Sequence, residues 1–222
     1  MMARMERSFW LERWQKGEIG FHREAPNAHL VEDCDWLTKG TSARVLVPLC
    51  GKTVDMRYLD ERGCSVVGVE LAEKAAEDFF REQGLTASRT LDGSAIRYES
   101  GRTEILVGDF FEREPSELGT FDAIFDRAAM VALPPELRAR YVAHLANFLA
   151  PGGRLLLVTF VYDGTMQGPP FSVPEADVRA AYEAIASVKL VRDLDIFADS
   201  PRFQERGATF IREQVWHIER TS

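Results

Sequence analysis

The chain has 222 residues, with 27 Lys and Arg against 35 Asp and Glu, a formal charge of −8. Its length suits a single domain, and 45% hydrophobic with 28% charged residues supplies enough apolar side chains for a sizeable core, which excludes disorder as the dominant state. The acid excess argues against a nucleic-acid partner, because phosphate binding depends on clustered Lys and Arg, and suits a small-molecule ligand, a cationic one included.

Residues 5–17 pattern as an amphipathic helix, with Phe9, Trp10 and Trp14 at helical spacing and Gly17 as a stop. A less regular stretch follows, broken at Pro26 and Asn27. From Ala43 onward, short apolar runs alternate with helical patterns. The runs at 43–49, 65–70, 103–110, 121–127 and 153–162 are mostly uninterrupted, as expected for strands buried on both faces of a parallel sheet. Helical patterns fall at 53–63, 72–84 and 134–153, the last opening on prolines and stopping at Pro151-Gly152-Gly153. After the loop at 163–172 come a helix within 173–186 and two long strands, 187–197 and 208–219. This order predicts an α/β fold: a doubly wound, mostly parallel seven-stranded sheet closed by a C-terminal antiparallel strand pair. A single domain over residues 1–222 is expected, with 1–40 as an N-terminal segment and 41–222 as the α/β core.

Three cysteines, Cys34, Cys50 and Cys64, are too few and too odd in number for a disulfide framework and read as free thiols of a cytoplasmic protein. The start of the chain lacks the pattern of a signal peptide, and no run approaches the roughly 18 apolar residues of a membrane helix. His22, His29, His144 and His217 show no metal-ligand spacing, so no metal is expected.

In open α/β sheets, ligands bind at the carboxyl ends of the strands. Glu70 directly follows a strand, nineteen residues after Gly51, where nucleotide-binding folds place an acid on the ribose hydroxyls. An acid opening the next helix is the plainer alternative. The Cys50-Gly51-Lys52-Thr53 turn imitates a phosphate loop, but a Walker A motif requires glycine where Leu46 stands, and a dinucleotide fingerprint needs three glycines. Its backbone N–H groups remain able to receive a carboxylate. Asp109 is placed either to accept from an exocyclic amine, with Phe110 against the ring, or to cap a turn. Arg127, just past an apolar strand, either pairs with Asp126 or meets an anionic substrate. Trp10 and Trp14 form either a core stripe or an aromatic face for a cation.

Taken in order, WLERWQKGEIGFH, VLVPLCGKTVDM, VVGVE, GDFF, FDRAAMVALPP and GPPFSVP resemble the thiopurine S-methyltransferase family of class I S-adenosylmethionine-dependent methyltransferases, over nearly the whole chain. The resemblance implies S-adenosylmethionine as cofactor and a lid helix carrying Trp10 and Trp14. It puts Leu49 and Gly51 at the cofactor loop, Glu70 on the ribose hydroxyls, and Asp109 with Phe110 on the adenine side. It assigns Phe21 to the substrate pocket, and gives Arg127 both catalytic and substrate-side roles beside the cofactor. A second substrate arginine matches Arg202, with Arg206 as the alternative. The implied acceptor is an aromatic or heterocyclic thiol, with selenium or tellurium oxyanions beside it, handled by a monomer that binds neither nucleic acid nor membrane. Competing readings are a nicotinamide-dependent oxidoreductase, disfavoured by the missing glycines, and a non-catalytic nucleotide-sensing module.

Overall fold

Uninterrupted apolar runs become strands covered on both sides. In β1 (Arg44–Pro48), β2 (Ser65–Glu70) and β5 (Thr103–Val107), the side chains of Val45, Leu46, Val66, Val69, Ile105 and Leu106 are fully buried. The computed structural model describes residues 2–92, 95–163 and 166–221. By its internal contacts the chain divides into two compact units, Met1–Glu117 and Leu118–Ser222.

The first unit opens with helix α1 (Met2–Lys16) and continues with α2 (Ala28–Thr38), β1, α3 (Asp55–Glu61), β2 and α4 (Glu73–Glu82). A hairpin of β3 (Ser88–Asp92) and β4 (Ala95–Ser100) then leads into β5. Strand β2 lies between β1 and β5, parallel to both, and the β4 edge of the hairpin runs antiparallel to β5. Gly68 in β2 is required by close packing: a Cβ there would lie 2.6 Å from Cys50 Sγ and 2.9 Å from Met56 Cε.

The second unit follows a short helix, α5 (Pro115–Leu118). It comprises β6 (Phe121–Arg127), α6 (Pro135–Ala146), β7 (Leu149–Tyr162), α7 (Glu175–Tyr182), β8 (Ala186–Asp195), α8 (Pro201–Glu205) and β9 (Ile211–Arg220). Strand β7 pairs parallel with β6 and antiparallel with β9, and β9 pairs antiparallel with β8. The expected closing strand pair is therefore present, and with the expected five earlier runs it makes the seven strands read from sequence. The β3–β4 hairpin is additional.

Several boundaries differ, each for a local reason. The stretch after Gly20 is more regular than expected, because α2 begins just past the Pro26–Asn27 break. Asn27 Oδ1 accepts from the N–H groups of His29 and Leu30 at 3.0 and 3.3 Å, and the Asn27 N–H donates to Asp55 Oδ1 at 2.6 Å. Strand β5 ends at Val107 rather than 110, because the Asp109 carboxylate accepts from the Phe111 N–H and turns Phe110–Glu112 into a 3-10 helix. Helix α6 stops at Ala146, and Pro151-Gly152-Gly153 lies inside β7, where a register shift opposite Phe121 and Ala123 absorbs it.

Candidate active site

Three parallel strands of the first unit end side by side. Register places Pro48 beside Val69 and Glu70 beside Val107, so the segments leaving β1, β2 and β5 share one edge. Leu49 leaves β1 at φ 48°, a left-handed conformation costing a branched residue about 1–2 kcal/mol. The Cys50 N–H returns to the Val69 carbonyl at 3.1 Å. Gly51, at φ 55°, then turns its N–H onto Glu70 Oε2 at 2.8 Å, while the Ala72 N–H reaches Oε1 at 2.8 Å.

Glu70 is thus a buried carboxylate held by backbone donors on both oxygens. Burial pushes its acid constant up, and the N–H groups of Ala72, Gly51 and Leu71 pull it part of the way back. Each carboxylate oxygen has a second acceptor direction, so the group can receive further hydroxyl donors without releasing the loop. The neighbouring Cys50 thiol is raised well above its ordinary range, first by burial and then by the Glu70 charge, which makes it a neutral packing group.

An aromatic cover lies on this loop. A Cβ at Gly51 would meet Trp14 Cζ2 at 3.1 Å and Phe21 Cε2 at 3.9 Å. Trp14 is buried with Ala72 and Ala75, and the half-buried Ile19 and Phe21 pack against the same cluster. The Phe21 ring sits edge-to-face with both Trp10 and Trp14, centroids 5.9 Å apart in each case. Trp10, Trp14, Phe21, Gly51 and Glu70 are therefore one constellation, reached from helix α1, the turn after it, and the ends of β1 and β2.

The end of β5 joins the same edge. The Gly108 N–H donates to the Glu70 carbonyl at 2.8 Å, bringing Asp109 and the buried Phe110 next to it in the chain. Asp109 Oδ1 caps the 3-10 helix at 3.0 Å, so the capping alternative read from sequence is realised. Its other oxygen lies 3.5 Å from Arg7 Nη1, which also reaches Glu112 Oε1 at 3.0 Å. Sequence reading passed over Arg7. The signal was available, since Arg7 precedes Trp10 by three positions and Trp14 by seven, on one helical face.

Lys52, the residue that made the turn resemble a phosphate loop, is spent elsewhere. Its Nζ lies 2.8 and 2.7 Å from the two carboxylate oxygens of Glu82, at the end of α4, with only 10% of the side chain exposed. The turn is braced to a helix by its lysine and presents backbone N–H groups instead.

In the second unit, Arg127 is the last residue of β6 and is half-buried. Its predecessor Asp126 is fully buried, with Oδ1 accepting from the Met130 N–H at 3.0 Å and Oδ2 from the Tyr141 hydroxyl at 2.8 Å. Strand alternation puts Arg127 on the opposite face. Of the two late arginines, Arg202 is exposed on α8, whereas Arg206 donates to the carbonyls of Gln167 and Pro169 and secures the Gln167–Pro170 segment. Among the described residues no group of three or more His, Cys, Asp or Glu is arranged to hold a metal ion, and no helix is long and apolar enough to cross a membrane.

Comparison with known proteins defines the class first. The fold matches the crystal structure of Burkholderia thailandensis 1,6-didemethyltoxoflavin-N1-methyltransferase with bound 1,6-didemethyltoxoflavin and S-adenosylhomocysteine. The TM-score is 0.64 at 20% identity, covering 100% of this chain and 89% of that one. It also matches magnesium protoporphyrin IX methyltransferase from Synechocystis with bound S-adenosylmethionine, at TM-score 0.65 and 14% identity, covering 97% of both chains. The fold is that of the class I methyltransferases.

Sequence narrows the class to a family. A family description headed Thiopurine S-methyltransferase (TPMT) matches residues 5–221. The chain is 40% identical to the thiopurine S-methyltransferase of Nitrosospira multiformis, covering 96% of this chain and 97% of that one. Identity to the protein of the same name from Pseudomonas entomophila is 43%, covering 97% and 100%. The chain belongs to the thiopurine S-methyltransferase family. It is an S-adenosylmethionine-dependent methyltransferase, as its sequence motifs imply.

Proposed function

We propose that the chain transfers the methyl group of S-adenosylmethionine to the sulfur of an aromatic or heterocyclic thiol of the thiopurine kind, with selenium and tellurium oxyanions as the second acceptor class to test. The observation that carries this reading is the buried Glu70 carboxylate, fixed by the Gly51 and Ala72 N–H groups beneath the Trp14 ring. A rigid buried acceptor with spare lone pairs fits a ribose diol, and the aromatic rings beside it fit a sulfonium cation.

In this assignment Glu70 takes the ribose hydroxyls, and Leu49 and Gly51 present loop backbone to the amino-acid end of the cofactor. Asp109 and Phe110 serve the adenine side. Trp10 and Trp14 exclude water, and Phe21 lines the acceptor pocket. The bound cofactor supplies an electrophilic methyl group on sulfur. What remains for the protein is alignment, worth about 7–11 kcal/mol when reacting atoms are held in attack geometry. An acidic thiol ionises near neutral pH without a general base, so Arg127 acts by holding the thiolate charge. Arg202 takes the outer edge of the acceptor site, since Arg206 is engaged by loop carbonyls. Residues 1–222 act as one catalytic domain with 1–40 as its lid, as a cytoplasmic monomer without nucleic-acid or membrane partners.

The test is product analysis by mass spectrometry after incubating the purified chain and cofactor with 6-mercaptopurine, thiophenol, selenite and tellurite. S-methylated thiols are the expected result. Cofactor binding with no methylated product from any acceptor would support the sensing module instead, and a saturable NADH titration would support the oxidoreductase.

A further inference from the structure

We propose that Asp126 and Tyr141 form a buried clamp that sets the orientation of Arg127, making both of them positioning residues for methyl transfer. The inference rests on the acceptor role assigned to Arg127 above.

The geometry is a closed loop. Asp126 Oδ1 receives the Met130 N–H at 3.0 Å, and the three residues enclosed by that bond are Arg127, Ala128 and Ala129. The chain reverses tightly within it. Ala128 is held at φ 70°, in the left-handed region disfavoured for any residue but glycine, and Met130–Ala132 then forms a 3-10 turn. Such a conformation persists only where its surroundings over-determine it. The second oxygen of Asp126 is fastened by the Tyr141 hydroxyl at 2.8 Å, from the middle of α6. The Ala129 N–H bonds the same carboxylate, which therefore cannot rotate without giving up one of these partners.

Burying a carboxylate is an expensive way to pin a turn, because a neutral Asn or Ser can cap backbone N–H groups as well. The other titratable group facing Asp126 is Tyr182 on α7. Its hydroxyl is buried with no hydrogen-bond partner among the described residues, and its acid constant is raised by burial and by the Asp126 charge. An ionised acid kept among phenols and N–H groups, directly behind the arginine it precedes, has the form of a device for holding a functional side chain.

The experiment is steady-state kinetics with 6-mercaptopurine, together with calorimetry of S-adenosylhomocysteine binding, for Asp126→Asn, Tyr141→Phe, Arg127→Ala and the Asp126→Asn/Arg127→Ala pair. Tyr141→Phe keeps the ring volume, so it tests the clamp even if the Asn variant folds poorly. The expected result is a roughly tenfold rise in acceptor KM for either clamp variant, the size of one lost hydrogen bond, with cofactor affinity unchanged. In the Arg127→Ala background the Asp126→Asn effect should vanish. Unchanged acceptor KM in both clamp variants, or an equal Asp126→Asn effect with and without Arg127, would overturn the clamp. An Arg127→Ala variant with unaltered acceptor KM would instead remove the acceptor role on which the clamp depends.

Discussion

Replacing Asp126 with Asn should change how the fold responds to pH, and the size of that change follows from the burial of one carboxyl. Asp126 lies wholly out of solvent, and burial raises its acid constant from the ordinary 3.8 to about 6, against the pull of the Met130 and Ala129 N–H groups and the Tyr141 hydroxyl. The native chain therefore holds this proton more tightly than the unfolded chain. Stability falls as pH rises through the window between those values: the contribution is complete below about 3.8 and lost above about 6. At 1.36 kcal/mol per tenfold, the whole span is about 3 kcal/mol, of which about 1.4 kcal/mol falls between pH 5 and pH 8. An amide does not titrate. Urea denaturation of both proteins at the two pH values, followed by far-ultraviolet circular dichroism, should show the difference in unfolding free energy moving toward the Asn variant by about that amount on going from pH 5 to pH 8. Constant effects of the amide cancel in this comparison. A difference that stays fixed would mean that the carboxyl titrates as an exposed acid and that its burial carries no electrostatic cost, and one that moves the other way would mean that the fold favours its charged form; either refutes the reasoning.

Glu70→Gln should weaken both S-adenosylmethionine and S-adenosylhomocysteine by roughly 10- to 100-fold, the worth of hydrogen bonds to a charged group. Calorimetry checks this, and equal affinity for wild type and variant would remove the ribose assignment. Gly51→Ala should cost about 1–2 kcal/mol from its positive φ and press its new methyl on the Trp14 ring, with faster limited proteolysis between residues 16 and 27 as the readout. Arg7→Ala should change stability by less than about 1 kcal/mol, because the Arg7 side chain is itself exposed to solvent in both ion pairs. It should nevertheless remove part of the salt dependence of cofactor binding, measured by titration at low and high ionic strength.

The sheet was largely legible because its signals are local. Runs such as 43–49 and 65–70 are apolar along their length, and that pattern has few outcomes besides a doubly covered strand. Helix α2 escaped notice because its start depends on one residue, Asn27, whose side chain caps the first turn while its backbone N–H donates to Asp55, 28 residues away. The hairpin at 88–100 was missed for the opposite reason: its half-polar strands lack a continuous apolar run, and pairing with β5 makes the structure. At the site, Glu70 and Gly51 were readable by their spacing. The diversion of Lys52 to Glu82 was not, since only the fold brings α4 beside that turn. Similarly, the sequence puts Asp126 next to Arg127 and invites an ion pair between them, whereas strand alternation separates them and hands Asp126 to Tyr141, fifteen residues on.

Helix α1 holds its place through partners far along the chain. Trp14 rests on Gly51, Ala72 and Ala75, and Arg7 reaches Glu112, 105 positions away. During synthesis the helix therefore has no docking surface until β1, β2 and the end of β5 have been made and paired. Its amides should be among the last to gain protection and the first to lose it, giving α1 a local opening free energy well below that of the β1–β2–β5 core. A chain arrested before β5 would leave Arg7 without Glu112 and β2 without the neighbour it pairs with on that side. The covering helix, made first, is thus the element that docks last.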